Sequence, residues 1–216
     1  MQGTQALAVA VAVVGLAWGC GGGSQTAPEP AKTSEPAKAP AAEAKAAAPA
    51  AAAAAGMIVI EAENPKANVK AGALAWVPVT KPAGFSGTGA MQAMPNDDNL
   101  NNDADYTKDS PRLDYEVDFP KAGVWRVWVR GCGATQEDNS CHAGLDGKEC
   151  ETSDRIAEFE EDWTWCNDTK DGDPATIKVA APGKHILNVW MREDGFVIDK
   201  IVLTQDAKLT PSGKGP

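Results

Sequence analysis

DSPRLDYEVDFPKAGVWRVWVRGCGATQEDNSCHAGLDG, residues 109–147, alternates apolar and polar side chains over two strand lengths and breaks at a proline and glycine turn. Leu113, Tyr115, Val117 and Phe119 share one face while Asp114, Glu116 and Asp118 share the other, the period of two that a half-buried strand requires. After Pro120-Lys121-Ala122-Gly123, the run Val124 to Arg130 is rich in β-branched and aromatic residues, which fit a pleated surface packed on at least one side. A polar loop, Gln136 to Ser140, separates it from a third short strand at Cys141 to Leu145.

Working outward, strand-like runs recur at Met57–Glu63, Val77–Val79, Ala90–Met94, Ala175–Ala180, His185–Arg192 and Phe196–Thr204, punctuated by Gly, Pro and Asn/Asp. No long amphipathic helix intervenes. The pattern predicts an all-β fold, an antiparallel β-sandwich of about eight or more strands in one domain, residues 57–206. The tail, residues 207–216, is rich in Lys, Pro and Gly and is expected to be unstructured.

The amino-terminal quarter cannot build a core. The apolar run Ala6 to Trp18 is too short to span a bilayer of roughly 30 Å at about 1.5 Å per residue. It resembles a bacterial lipoprotein signal, residues 1–19, with Cys20 as the acylated residue, although no Lys or Arg precedes it and Ala17 stands where that family prefers Leu. The plainer reading is an ordinary secretory signal that contains a cysteine. Residues 20–56 contain low-complexity Ala, Pro, Glu and Lys with no apolar face to bury, a disordered tether. An anchor, a spacer and a folded domain are the parts of an exported, surface-displayed module. The expected location is a bacterial outer membrane or cell surface, reached through the lipid, or otherwise the medium.

The domain holds Cys132, Cys141, Cys150 and Cys166, an even number consistent with disulfides in an oxidising compartment. Cys132 closes one strand and Cys141 opens the next, so Cys132–Cys141 is the preferred pairing, with Cys150–Cys166 pinning the following loop to Trp163-Thr164-Trp165. A zinc site is the rival, but no close CxxC pair supports it.

Glu61-Ala62-Glu63 on the first strand, Gly84-Phe85-Ser86-Gly87, the central hairpin, Trp163-Thr164-Trp165 and a last strand Asp194 to Leu203 follow one another in an order that resembles carbohydrate-binding modules of families 6 and 35. The resemblance is strongest to the sandwich domain at the C-terminus of family 115 glycoside hydrolases, and it covers about residues 57–206. It implies a galactose-binding-like jelly roll, a structural calcium, and sugar recognition without catalysis. Strand parity bears on the metal: Glu61 and Glu63 point to one side, and Asp199 lies on a last strand that pairs beside the first in the resembling modules. Three converging carboxylates would hold a hard cation, Ca2+, among oxygen ligands. Without it, Glu61 and Glu63 are a solvated strand face.

A sugar offers C–H faces that stack on indoles and hydroxyls that need Asp, Asn and Arg. Three loops supply that mixture: Asp138 and Asn139 leading into His142; Arg155 followed by Trp163 and Trp165; and Arg192 with Asp194. Each has a structural alternative: one of the two tryptophans in the core, His142 as a satisfied partner of polar neighbours, Arg192 and Asp194 closing their own turn. Trp125, Trp128 and Trp190 read as structural. Val197 stands where family 6 modules usually place a sugar-binding Asn, so that contact is lost. The run Asn96 to Asp105 fails the EF-hand test, with Asn102 and Lys108 at the glycine and glutamate positions counted from Asp97, and reads as a rim loop, a lid or a weak second cation site.

A net charge of −10 argues against nucleic acid as a partner. Phosphate loops, zinc-protease helices and nucleophile elbows are absent. The sequence thus points to a non-catalytic module that binds polysaccharide or oligosaccharide at the cell surface. A surface lipoprotein that contacts protein without binding sugar is the alternative, and a small glycoside hydrolase, which would need two carboxylates in a deep cleft, is a further one.

Overall fold

The computed structural model describes residues 53–54, 56–102 and 105–216. The expected leader, Cys20 and nearly all of the tether lie outside them.

Among the described residues there are twelve strands: β1 (Ala53–Ala54), β2 (Met57–Glu61), β3 (Ala67–Val69), β4 (Ala75–Val79), β5 (Ala90–Met94), β6 (Arg112–Phe119), β7 (Gly123–Cys132), β8 (Cys141–Leu145), β9 (Thr164–Cys166), β10 (Thr176–Val179), β11 (Gly183–Met191) and β12 (Val197–Thr204). One helical turn, α1 (Tyr106–Asp109), and a 3-10 turn at Glu151–Ser153 complete the described residues. All strand pairs are antiparallel. In the larger sheet β12 is central, with β7 along one side and β2 and β5 sharing the other; β4 pairs with β5, β1 with β2, and β9 and β10 with β7. The smaller sheet runs β3-β6-β11-β8. The β-sandwich expected from the alternation is the fold observed.

The inner faces meet in one core. On β6, Leu113, Tyr115, Val117 and Phe119 are all buried, as the period of two predicts, and Phe119 packs edge-on against Trp125 of β7 at 5.2 Å. Asp114 departs from the simple alternation: it is buried on the outer side of β6, where Arg112 pairs with it at 2.6 Å and Asn188 donates to it at 2.5 Å. A buried carboxylate tolerates desolvation when its oxygens are so paired.

Two expectations are corrected. The chain folds back at its end: Gly213 O accepts hydrogen bonds from Arg130 Nε (2.9 Å) and Trp165 Nε1 (3.0 Å), and Pro216 O accepts one from Lys200 Nζ (3.0 Å). Residues 213–216 therefore lie against the outer face of the larger sheet, where their carbonyls meet the donors that face presents. The second correction concerns the cysteines, which are free thiols. Cys132 and Cys141 end and begin neighbouring strands, but in different sheets. Cys132 packs outward with Ala90 and Val197, whereas Cys141 faces the core. Cys166 donates to Ala157 O at 2.8 Å, and Cys150 bonds toward Thr176 O at 3.5 Å. Burial pushes the Cys132 thiol up to about 12 and the Cys166 thiol up to about 11, so neither supplies thiolate near neutrality.

Candidate functional site

The outer face of the larger sheet is built by parity. β9 pairs with β7 so that Cys166 lies opposite Val129 and Trp165 opposite Arg130. Cys166 and Val129 point into the core, which sends Trp165 and Arg130 outward together. Trp163, two residues before Trp165, takes the same side. Its Nε1 donates to Ala83 O at 2.9 Å, and the Arg130 guanidinium lies 5.0 Å from its ring centroid. Both indoles are half-buried. Trp163, Phe85 and Val79 pack on Ala90, Cys132 and Val197, a small apolar cluster separate from the core. Two tryptophans on one surface can stack on sugar C–H faces, while Arg130, buried and bonded to Asp199, Gly84 O and Gly213 O, supports that surface from beneath.

Beside this face, the loop Gly84–Thr88 meets the three expected metal-binding carboxylates. Asp199 sits at a register shift between β12 and β7, fully buried; it accepts from Arg130 Nη1 (2.5 Å), Ser86 N (2.7 Å) and Ser86 Oγ (3.1 Å). Glu61 accepts from Ser86 Oγ (2.6 Å) and pairs with Lys200 at 3.0 Å. Glu63 accepts from Thr88 N (2.6 Å) and Oγ1 (3.1 Å), while its Oε2 is buried without a partner. Gly87, at φ +28°, has no room for a side chain, since a Cβ would collide with the Glu63 and Glu61 carboxylates. Strand parity thus brings all three carboxylates to one loop. In the placement observed they hold amide and hydroxyl partners, and among the described residues no three His, Cys, Asp or Glu side chains are arranged to hold a metal. Three carboxylates face two cations, Arg130 and Lys200, leaving Glu63 uncompensated.

The rim groups are brought together as well, but inward. Asp138, Asn139, His142, Arg192 and Asp194 are each at most 5% exposed. Arg192 pairs with Glu193 and donates to Ser140 Oγ (2.8 Å) and Asn102 Oδ1 (2.9 Å). Glu193 also accepts from Asn139 N (3.0 Å) and Ser140 Oγ (2.6 Å). The anticipated Arg192–Asp194 turn bridge is not made; Glu193 takes the arginine instead. Arg155 donates its backbone N–H to His142 Nδ1 (3.1 Å), while its guanidinium pairs outward with Asp171 (2.5 Å).

His142 lies stacked on Tyr106 at 3.8 Å and donates through Nε2 to Asn101 O at 2.8 Å, leaving Nδ1 as acceptor, so the ring is neutral. Burial lowers its pKa from 6.5 to about 4, only partly opposed by the Asn101 bond. In the unfolded chain the ring takes up a proton below about pH 6.5, and in the folded chain only below about pH 4. Folding stability is therefore expected to fall by roughly 3 kcal/mol between these pH values, with no His142 contribution above them. Urea melts of wild type and His142→Gln at pH 7.5 and 4.5 check this: the variant should lose less stability on acidification, and equal losses would refute it.

The predicted site residues therefore divide in two. Trp163 and Trp165 lie half-buried on the outer face, Trp165 against the Gly213–Pro216 segment, with Glu61, Glu63 and Asp199 at the adjoining loop. Asp138, Asn139, His142, Arg192 and Asp194 form a buried rim, which Arg155 joins only through its backbone N–H. Sequence reasoning missed Arg130, Ser86 and Glu193. Arg130's outward parity within the β7 pattern could have marked the first.

Residues 52–216 match the family described as the glycosyl hydrolase family 115 C-terminal domain. Among curated proteins, an uncharacterized protein P23 of Formosa agariphila is 37% identical over 113 residues, covering 48% of this chain and 27% of that protein. The chain thus spans about a quarter of that relative's length. Among solved structures, a family 35 carbohydrate binding module from Clostridium thermocellum aligns over 69% of this chain and 98% of its own, with 12% identity and a TM-score of 0.48. A CBM35 from Paenibacillus barcinonensis aligns over 68% and 98%, with 16% identity and a TM-score of 0.47. The GH26-CBM35 β-(1,4)-mannanase of Podospora anserina aligns over 72% of this chain and 29% of its own, with 15% identity and a TM-score of 0.48.

Proposed function

We propose, given that this chain belongs to the glycosyl hydrolase family 115 C-terminal domain family, that it is a non-catalytic glycan-binding module, exported and held at the bacterial cell surface through a lipid on Cys20. The observation that carries the binding reading is the pair Trp163 and Trp165, turned out of the core on one face with Arg130 between the sheet and the first ring. Asn139, His142, Arg192 and Asp194 are buried and bonded to neighbouring loop residues, so their role is to hold the loops rather than to touch sugar. A glycan array probed with the full chain tests this. Wild type is expected to bind a restricted set of glycans, and Trp163→Ala and Trp165→Ala each to lose about 1–1.5 kcal/mol of binding, or about five- to tenfold in affinity, while remaining folded. A folded wild-type chain that binds no glycan above background refutes the proposal.

Calcium belongs to the same reading. Oxygen-only donors, an uncompensated Glu63 and the Glu63 Oε2 without a partner fit a hard cation held by Glu61, Glu63 and Asp199. Calcium there would neutralise the carboxylates and tie the Gly84–Thr88 loop to β2 and β12. Thermal melting checks it: calcium at about 100-fold over its Kd is expected to add about 2.7 kcal/mol and raise the midpoint by about 5–10 °C over chelated protein. Glu63→Gln should reduce that gain. An unchanged midpoint in chelator would remove the structural metal.

A further inference from the structure

We infer a second cation site, for a hard divalent ion such as calcium, at the rim where Asp138, Asp194 and Asn139 meet. Asp194 is fully buried; its Oδ2 accepts from Asp97 N (2.9 Å) and Asn99 Nδ2 (2.7 Å), but its Oδ1 is buried with no partner. Asp138 is 2% exposed, and its carboxylate reaches the residue next to Asp194: a Cβ on Gly195 would lie 2.7 Å from Asp138 Oδ1. Asn139 Oδ1 is a further buried oxygen without a partner.

No counter-charge serves these groups. Among the described residues neither Asp138 nor Asp194 pairs with a Lys, Arg or His, and the nearby Arg192 is engaged by Glu193, Ser140 and Asn102. Two uncompensated buried carboxylates cost several kcal/mol each unless a proton or a cation neutralises them. The unpartnered oxygens decide between these. A single proton gives one donor, whereas a divalent ion takes up six to eight oxygens and so satisfies both carboxylates and the amide at once. The donor set is entirely oxygen, which selects a hard ion over zinc or copper. Bound there, the ion joins the Asn96–Asn102, Gln136–Ser140 and Arg192–Gly195 segments.

The test is calorimetric titration of calcium into chelator-stripped full chain. The site is distinct from the Glu61, Glu63 and Asp199 group, so the decisive protein is Glu63→Gln, which lacks that group's uncompensated ligand. Glu63→Gln is expected to retain one calcium, and adding Asp138→Asn to weaken it by about tenfold or more. Wild type should bind one calcium more than Glu63→Gln if both sites exist, and the same single calcium if only the rim site does. No calcium heat in folded Glu63→Gln, or a heat that Asp138→Asn leaves unchanged, overturns the rim site. If Asp138→Asn does not fold, Asp194→Asn replaces it in the same titration, and the calcium retained by Glu63→Gln still decides whether a site exists outside the first group.

Discussion

Asp199→Ala is expected to lower the free energy of unfolding by about 3–5 kcal/mol, the usual cost of breaking a buried ion pair from one side. Asp199 is fully buried and Arg130 is 4% exposed, so the arginine would be left desolvated without its carboxylate. Its remaining acceptors, Gly213 O and Gly84 O, are neutral carbonyls. The same substitution removes the acceptor for Ser86 N, while Ser86 Oγ keeps Glu61, so the Gly84–Thr88 loop loses its tie to β12. Replacing both partners together, Asp199→Leu with Arg130→Met, should cost less than Asp199→Ala alone, because no unpaired charge remains. Urea denaturation measures both. A loss below about 1 kcal/mol for Asp199→Ala, the range of an exposed pair, would show that the pair is solvated in solution.

Phe196→Ala is expected to cost a similar amount, about 3–5 kcal/mol, for a different reason. The Phe196 ring is fully buried between Trp76, edge-on at 6.5 Å, and Phe159, tilted at 4.7 Å. It also lies where a side chain at residue 131 would go, since a Cβ on Gly131 would meet the ring at 2.5 Å. Removing the ring opens a cavity at the point where β12, β4 and the segment leading to β9 meet. Phe159 is the buried anchor of that segment, so Trp163 and Trp165 should lose their fixed position along with stability. The expected signature is a lower urea midpoint together with weaker glycan binding. Stability within about 1 kcal/mol of wild type would mean that the neighbouring rings collapse to fill the gap.

Much of the fold is legible in the chain because a half-buried strand imposes period two on its side chains. β5 and β8 fall at the expected residues, and β6, β7, β10, β11 and β12 shift by at most about two positions, within ordinary boundary scatter. β3 and β9 escape that reading because three residues carry too little alternation. The Glu61 and Glu63 parity, with the last strand beside the first, is also legible, and Lys200 does lie opposite Glu61. Pairing of distant groups is not. Adjacent strand ends placed Cys132 near Cys141 in sequence, but the chain crosses to the other sheet between them, which turns one thiol outward and the other into the core. Polarity likewise marks Asp138, His142, Arg192 and Asp194 without showing that all four are buried, the last three bonded to neighbouring loops instead of to solvent. The C-terminal tail reads as loop by composition, yet Arg130, Trp165 and Lys200 supply donors that its carbonyls accept.

The most direct test of glycan recognition on the outer face is the response of the indole N–H signals of the full chain, assigned by Trp→Phe substitution, as the array-selected oligosaccharide is titrated in. Glycan recognition on the outer face predicts that the Trp163 and Trp165 signals move and saturate together, while those of the fully buried Trp76, Trp125 and Trp190 stay fixed. Saturable shifts confined to other tryptophans, or an oligosaccharide that binds without moving either Trp163 or Trp165, would contradict it.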